Sequence, residues 1–282
     1  MARSDEPPWL HGEVARRMAE RLQVIRLQPQ VLTDWWSFNG ASQALLQQAY
    51  PKARVCRVEA DDARRRSSLA AAGKRGWLAR RLVGPAVEVR APHEPGPASE
   101  LLWANMMLHL VDDPPALMRQ WHQALAVDGF LMFSTLGPGS LAGLRDVYQA
   151  LGWPPPHAPF IDMHDLGDML LRSGFADPVM DQEIVTLTWP DAAALLRELR
   201  TLGGNADLAR TPGLRTPRWR ERLLQALEAL RGGDGRLRLD FDLVYGHALR
   251  APPRPRVAGQ TTVPLEDMRD MVRAGRRSTG AT

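Results

Sequence analysis

Apolar positions in this chain come in short solid runs, separated by stretches where they recur every three or four residues. The clearest case is Ser99 to Gly139. Leu101 to Trp103 is an apolar run short enough for a strand buried on both faces, and it gives way to the polar Asn105. Asp113 is placed to cap a helix with Pro114 and Pro115 in its first turn. Leu117, Met118, Trp121 and Leu125 then fall on one helical face. Asp128-Gly129 turns the chain into a second apolar run, Phe130 to Phe133, which stops at Gly137-Pro138-Gly139. Strand, helix and strand within about forty residues predict a right-handed crossover unit of a parallel sheet. Ligands of such sheets sit beyond the carboxyl ends of the strands, here near Asn105 to His109 and Ser134 to Leu136.

The same alternation extends in both directions. Residues 1–12 are polar and Pro-containing, and are expected to be loose. From Glu13 onward Val14, Met18, Leu22 and Ile25 form one stripe of an amphipathic helix. Gln30 to Trp36 reads as the first strand, followed by Asn39-Gly40 and a helix over 41–50. Arg54 to Glu59 is a second strand ending in an acid, 61–82 is helical in character, and Ala86 to Arg90 is a short third strand. After the central unit come a helix over Leu141 to Leu151, a rigid linker over 153–159, and a helix over Met163 to Ser173 with Gly174 just past its end. Val179 to Trp189 and Arg238 to Leu249 alternate as strands, separated by two helical stretches within 191–232. The sum is an α/β fold: seven strands in a mostly parallel sheet, an antiparallel edge hairpin and a helical insertion over 191–236. The expected organisation is one domain over 13–250 and a basic Pro- and Arg-rich tail over 251–282.

Composition narrows the partners. The chain is 44% hydrophobic and 24% charged, ordinary for a globular protein, and no apolar run nears the roughly 20 residues a bilayer span needs. The 36 basic residues outnumber the 32 acidic ones by only four, and no helix-turn-helix, zinc-finger or aromatic RNA-binding signature accompanies them. Neither nucleic acid nor membrane is therefore expected as a partner. The single cysteine, Cys56, excludes an internal disulfide and a cysteine metal cluster. Asp162, His164, Asp165 and Asp168 read as the acid-rich first turns of a helix rather than as a metal site. The expected compartment is the cytoplasm.

Taken together, several segments resemble a known family. They are the opening strand-turn-helix, the acid ending the second strand and the Ser99 to Gly139 unit, continued through FSTLGPGSL, LRELRTLGGNA and the closing FDLVYGHAL. These are similar to class I S-adenosylmethionine-dependent methyltransferases, and within them to the malonyl-acyl-carrier-protein O-methyltransferases of biotin synthesis, over about residues 13–250. The resemblance implies a Rossmann-like sheet, S-adenosylmethionine as cofactor, and an acyl carrier protein bearing a malonyl thioester as partner. The implied reaction is methyl transfer to the free malonyl carboxylate. That group is already ionised at pH 7, so positioning and exclusion of water would carry the catalysis.

The resemblance also nominates residues. Asp34 and Gly40 open and close the family's Asp-x-Gly-x-Gly-x-Gly loop, here Asp34-Trp35-Trp36-Ser37-Phe38-Asn39-Gly40, with Trp36 and Phe38 in place of two glycines. A Cβ at those positions penalises positive φ and a ring intrudes on the cofactor's space, so the alternative reading is a catalytically inactive relative that binds or regulates. Glu59 is the candidate acceptor for ribose hydroxyls, with Asp61 as its alternative, and Asn105 is a candidate cofactor contact. His109, at the same strand end, reads as a locally hydrogen-bonded side chain. Arg197, Arg200, Arg215 and Arg218 lie on the insertion that in this family covers the substrate. There they are candidates for a carboxylate or for the acidic helix of a carrier protein.

Overall fold

In the computed structural model, residues 6–73, 87–205 and 215–253 are described, together with Asp207, Arg210, Gly213, Glu266, Met268 and Arg269. The chain divides into two units, Met1–Ala251 and Pro252–Thr282. Beyond Pro253 only the helical residues Glu266, Met268 and Arg269 are described, so most of the tail lies outside the described residues.

The first unit is built on seven strands: β1 (Val31–Trp35), β2 (Arg54–Val58), β3 (Glu88–Arg90), β4 (Ser99–Ala104), β5 (Leu125–Leu136), β6 (Ala176–Trp189) and β7 (Leu237–Leu249). They form one sheet in the order β3-β2-β1-β4-β5-β7-β6. The first five run parallel, and β7 is inserted antiparallel between β5 and β6. The strand order reverses between β1 and β4, which opens a crevice at their carboxyl ends. β4 shows why a solid apolar run makes a central strand. Leu101 and Trp103 enter one core while Leu102 and Ala104 enter the other, and all four are fully buried.

Helices cover both faces: α1 (Trp9–Arg21), α2 (Gln43–Ala49), α3 (Asp62–Gly73), α4 (Pro114–Ala124), α5 (Ala142–Ala150), α6 (Met163–Arg172), α7 (Ala192–Leu202) and α8 (Pro217–Leu227). Their starts follow capping chemistry. Asp113 accepts from Ala116 N–H at 2.9 Å ahead of two prolines, Asp191 from Ala194 N–H at 2.7 Å, and Thr216 from Trp219 N–H at 3.1 Å. α6 ends at Gly174, whose φ of +99° is cheap only for glycine. Among the described residues no helix is long and apolar enough to cross a membrane, and no cluster of three or more His, Cys, Asp or Glu side chains could hold a metal.

Several expected boundaries shift for local reasons. The first helix starts at Trp9 rather than Glu13, behind Pro8. It buries Leu10 and His11, so the expectation of a loose segment up to residue 12 is corrected. The polar setting of those two side chains hid their burial from pattern reading. β1 stops at Trp35 because Trp36 turns to φ 54°. Leu125 belongs to β5 and pairs with Ser99, and Asp128-Gly129 forms an irregularity within that strand rather than the turn before it. The helix expected over 61–82 is described to Gly73, and Ala86 lies outside the described residues.

Candidate functional site

The crevice between β1 and β4 is floored by the loop that follows β1. Trp36 takes left-handed φ/ψ of 54°/48° while its N–H donates to Val58 O at 2.6 Å. A single helical turn, Ser37–Gly40, follows and closes with Gly40 N–H on Trp36 O at 3.0 Å. Asp34 lies beneath this turn, 1% exposed. Its Oδ2 accepts from Ser37 Oγ at 2.6 Å, and its Oδ1 has no partner among the described residues. Burial pushes the Asp34 carboxyl up to about 7, with Ser37 opposing and the Glu59 charge adding.

Glu59, one residue past β2, turns into the same loop. Its two oxygens lie 3.2 and 3.4 Å from Phe38 N–H, and Ser68 Oγ of α3 donates to it as well. Burial raises its carboxyl above the usual range, and those two donors pull against the rise. The Arg64 guanidinium stands 4.1 Å over the Phe38 ring. Asn105, one residue past β4, is hydrogen-bonded at both ends of its amide: Nδ2 donates to Gly40 O at 2.6 Å and to His11 O at 2.8 Å, and Oδ1 accepts from Ser134 Oγ at 2.6 Å. A Cβ at Gly40 would stand 3.5 Å from Asn105 Cβ, an ordinary van der Waals contact, so the packing against β4 does not by itself demand glycine here.

The four residues nominated for the cofactor, Asp34, Gly40, Glu59 and Asn105, thus form one buried cluster around one loop. Sequence reading missed the third party. His11 Nδ1 pairs with Asn39 O at 2.8 Å, so α1 is stapled to the loop from above. Burial lowers His11 to about 4 and keeps it neutral. As a seat for an adenosyl sulfonium, the cluster has groups of the right kind: a carboxylate at the end of β2 suits vicinal hydroxyls, and Asp34 Oδ1 is an acceptor without a partner among the described residues. Glu59, however, already accepts from Phe38 N–H and Ser68 Oγ, and rings stand where the family pattern has glycines.

A separate cavity of ≈ 530 Å³ lies between the end of β5, α5 and the insertion helices α7 and α8. Leu136, Leu144, Leu199 and Leu223 line it, with His109 and His157 also on its wall. His109 Nδ1 lies 3.3 Å from Thr135 Oγ1, and burial drives its pKa down to about 3, so the imidazole is neutral. Arg200, Arg215 and Arg220 border the cavity, and none of the three pairs with a carboxylate among the described residues. The Arg215 guanidinium lies 4.8 Å over Trp219, which stacks on Trp153 at 4.8 Å.

Two of the four expected arginines fall elsewhere. Arg197 and Arg218 are exposed and do not line the cavity. At 100° per residue each points roughly 160° away from its cavity-facing neighbours Leu199 and Arg220. Anchored on Leu223, the same wheel puts Arg220 about 60° and Arg218 about 140° from the cavity-facing direction; anchored on Leu199, it puts Arg200 at about 100°, which separates it from Arg197 only weakly.

Comparison with known proteins places this geometry. Residues 16–177 match the methyltransferase domain family. A malonyl-[acyl-carrier protein] O-methyltransferase of Laribacter hongkongensis is 36% identical over 273 residues, covering 95% of this chain and 90% of that protein. One from Halorhodospira halophila is 35% identical over 266 residues, covering 92% and 87%. Among solved structures, YcgJ of Bacillus subtilis superposes with a TM-score of 0.56 at 10% identity, covering 85% of this chain and 99% of that one. Phosphoethanolamine N-methyltransferase 2 of Haemonchus contortus, solved with S-adenosyl-L-methionine, gives 0.51 at 12%, covering 87% and 54%; both likenesses concern the fold alone. With the curated relatives matched from the first helix through the insertion to the last strand, the chain belongs to the malonyl-[acyl-carrier protein] O-methyltransferase family.

Proposed function

We propose that this protein methylates the free carboxylate of a malonyl thioester carried on an acyl carrier protein, a step of biotin synthesis, with S-adenosylmethionine as methyl donor. The observation that carries the reading is the 36% identity over 273 residues to a relative of that name, which takes in the insertion as well as the sheet. When bound, S-adenosylmethionine supplies a methyl group made electrophilic by its sulfonium. Asp34, Gly40, Glu59 and Asn105 are the residues proposed to hold it. Glu59 would accept from hydroxyls in place of the Phe38 N–H, and Asp34 Oδ1 would face a cationic group.

The acceptor needs no general base, since a malonyl carboxylate is ionised at neutral pH. The neutral His109 accordingly takes no proton in this reading. The work left to the chain is orientation and dryness. Arg200, Arg215 and Arg220 offer charge-assisted hydrogen bonds to an anion, and α7 and α8 supply apolar side chains to the cavity wall. The same basic rim suits the acidic surface of a carrier protein.

One observation favours a second reading, a non-catalytic relative that binds or regulates: Trp36 and Phe38 fill the glycine positions and Glu59 already accepts from Phe38 N–H and Ser68 Oγ. Complementation separates the two. In a biotin-requiring strain lacking its own malonyl-carrier O-methyltransferase, expression of this chain restores growth without biotin. Soluble expression without growth would favour the second reading.

A further inference from the structure

The loop that follows β5, Gly137-Pro138-Gly139-Ser140, is held more firmly than a surface turn requires, and it joins groups that belong to both proposed sites. Just before it, the buried Ser134 donates to Asn105 Oδ1 and accepts from Met106 N–H at 3.1 Å. The end of β5 is thereby tied to a residue proposed for the cofactor. Leu136 and Leu141, which flank the loop in sequence, both line the acyl cavity. Leu141 stands at φ 57°, a left-handed conformation that a leucine keeps only where its surroundings over-determine it.

Much of that restraint comes from Asp242 on the adjacent β7. Its main-chain oxygen accepts from Gly137 N–H at 2.7 Å and from Ser140 Oγ at 3.0 Å, and its N–H donates to the same hydroxyl at 2.9 Å. Those bonds need no particular side chain at position 242. The carboxylate adds two that do: Oδ2 accepts from Gly139 N–H at 3.0 Å, and Oδ1 from Gln182 Nε2 of β6 at 2.7 Å. A Cβ on Gly137 would stand 2.6 Å from Oδ2, so the loop backbone lies against the carboxylate with no room for a side chain between them. The group is 2% exposed, and no Lys, Arg or His pairs with it among the described residues. A carboxyl buried without a cation is costly to keep. Arg145 of α5 adds a second grip on the loop, donating to Pro138 O at 2.9 Å and to Ser140 O at 3.1 Å.

We propose that Asp242 is a positioning residue for the methyl transfer. Through the 137–141 segment it fixes the end of β5 and the start of α5, and with them the separation of methyl donor and malonyl carboxylate. It does not line the cavity and acts through the loop alone. The proposal rests on the reading of the two sites given above. In-line transfer needs the reacting atoms roughly 3–3.5 Å apart, and a misplacement of about 1 Å costs on the order of a hundredfold in rate.

Methyl transfer from S-adenosylmethionine to malonyl-acyl carrier protein is measured with the full chain, kcat and KM taken separately, and affinity for S-adenosylhomocysteine is read by calorimetry. Asp242→Ala should lower kcat by about thirtyfold or more, while KM for the carrier and the affinity for S-adenosylhomocysteine stay within about twofold. Asp242→Asn should recover most of that loss. Its amide oxygen still accepts from Gly139 N–H, and Gln182 can turn its own oxygen toward the amide nitrogen. Arg145→Met, at a half-buried side chain, decides the matter should Asp242→Ala fail to fold. It should lower kcat by about tenfold at unchanged KM, and combined with Asp242→Ala it should cost less than the product of the two losses, because both act on one loop. An unchanged kcat in folded Asp242→Ala, or in Arg145→Met where the former does not fold, would overturn the proposal. So would a loss that falls on KM, or one that Asp242→Asn fails to recover. Wild-type protein that leaves the carrier unmethylated would overturn the proposed function as well, whereas an active wild type with unaffected variants overturns the positioning role alone.

Discussion

Trp36 is where the family pattern and this chain part company. A non-glycine residue at φ 54° carries a penalty of roughly 1–2 kcal/mol, and here the ring also packs against the core that holds Trp35. Phe38 contributes the N–H that occupies Glu59. Replacing both by glycine frees the backbone to approach a ligand and removes the rings. The expected outcome of Trp36→Gly with Phe38→Gly is an affinity for S-adenosylhomocysteine at least tenfold tighter than in the unmodified protein, read by calorimetry. Equal affinity would mean that the rings do not obstruct the seat. Asp34 offers a second reading at this scale. Its carboxyl keeps a proton up to about 7 in the folded chain and loses it near 3.8 when unfolded. Between those values the folded state binds more protons, so stability falls as pH rises from about 4 to 7 and stays lower above. The three-unit rise corresponds to at most about 4 kcal/mol. Asp34→Asn does not titrate, so its unfolding free energy should gain on the wild type across that window; parallel curves would contradict the assignment.

At the level of elements, α1 is joined to the rest of the molecule at both ends. His11 and Asn105 tie its start to the loop after β1, while Arg17 pairs with Glu183 at 2.7 Å and Arg21 with Asp181 at 2.5 Å on β6. The Arg21–Asp181 pair is exposed and contributes little, whereas the start of the helix is buried. His11 titrates near 4 in the folded chain and 6.5 when free. Below 6.5 the unfolded state binds more protons, so this contribution, at most about 3 kcal/mol, is present above 6.5 and lost as pH falls towards 4. The protection factors of α1 amides, which correct for the intrinsic slowing of exchange in acid, should therefore fall on acidification before those of β4 do. The two elements exchanging in step would contradict it.

β4, α4 and α6 were legible because a solid apolar run, an Asp-Pro-Pro start and a terminal glycine each have one local solution. The start of α1 was not, because Leu10 and His11 are buried by a loop remote in sequence. Nor was the partnership of Glu59, whose donors come from Phe38 and Ser68, on two different elements. The arginines were legible as a region but not one by one, since the helical wheel set by Leu223 separates Arg220 from Arg218, while that set by Leu199 separates Arg200 from Arg197 only weakly.

For the first unit as a whole, the sheet order sets the economy of the site. The reversal between β1 and β4 brings the ends of β1, β2 and β4 to one crevice, and the segment joining β6 to β7 is the insertion that roofs the neighbouring cavity. The proposed donor seat and the proposed acceptor cavity are thereby supplied by separate parts of the chain. The central claim is methyl transfer to a malonyl thioester, and direct observation of the product tests it best. Purified protein is incubated with methyl-labelled S-adenosylmethionine and malonyl-acyl carrier protein, and label on the carrier is measured before and after mild base. The account predicts carrier-bound label that base releases, as a methyl ester must. Unlabelled carrier, under conditions in which a curated relative labels it fully, would contradict it.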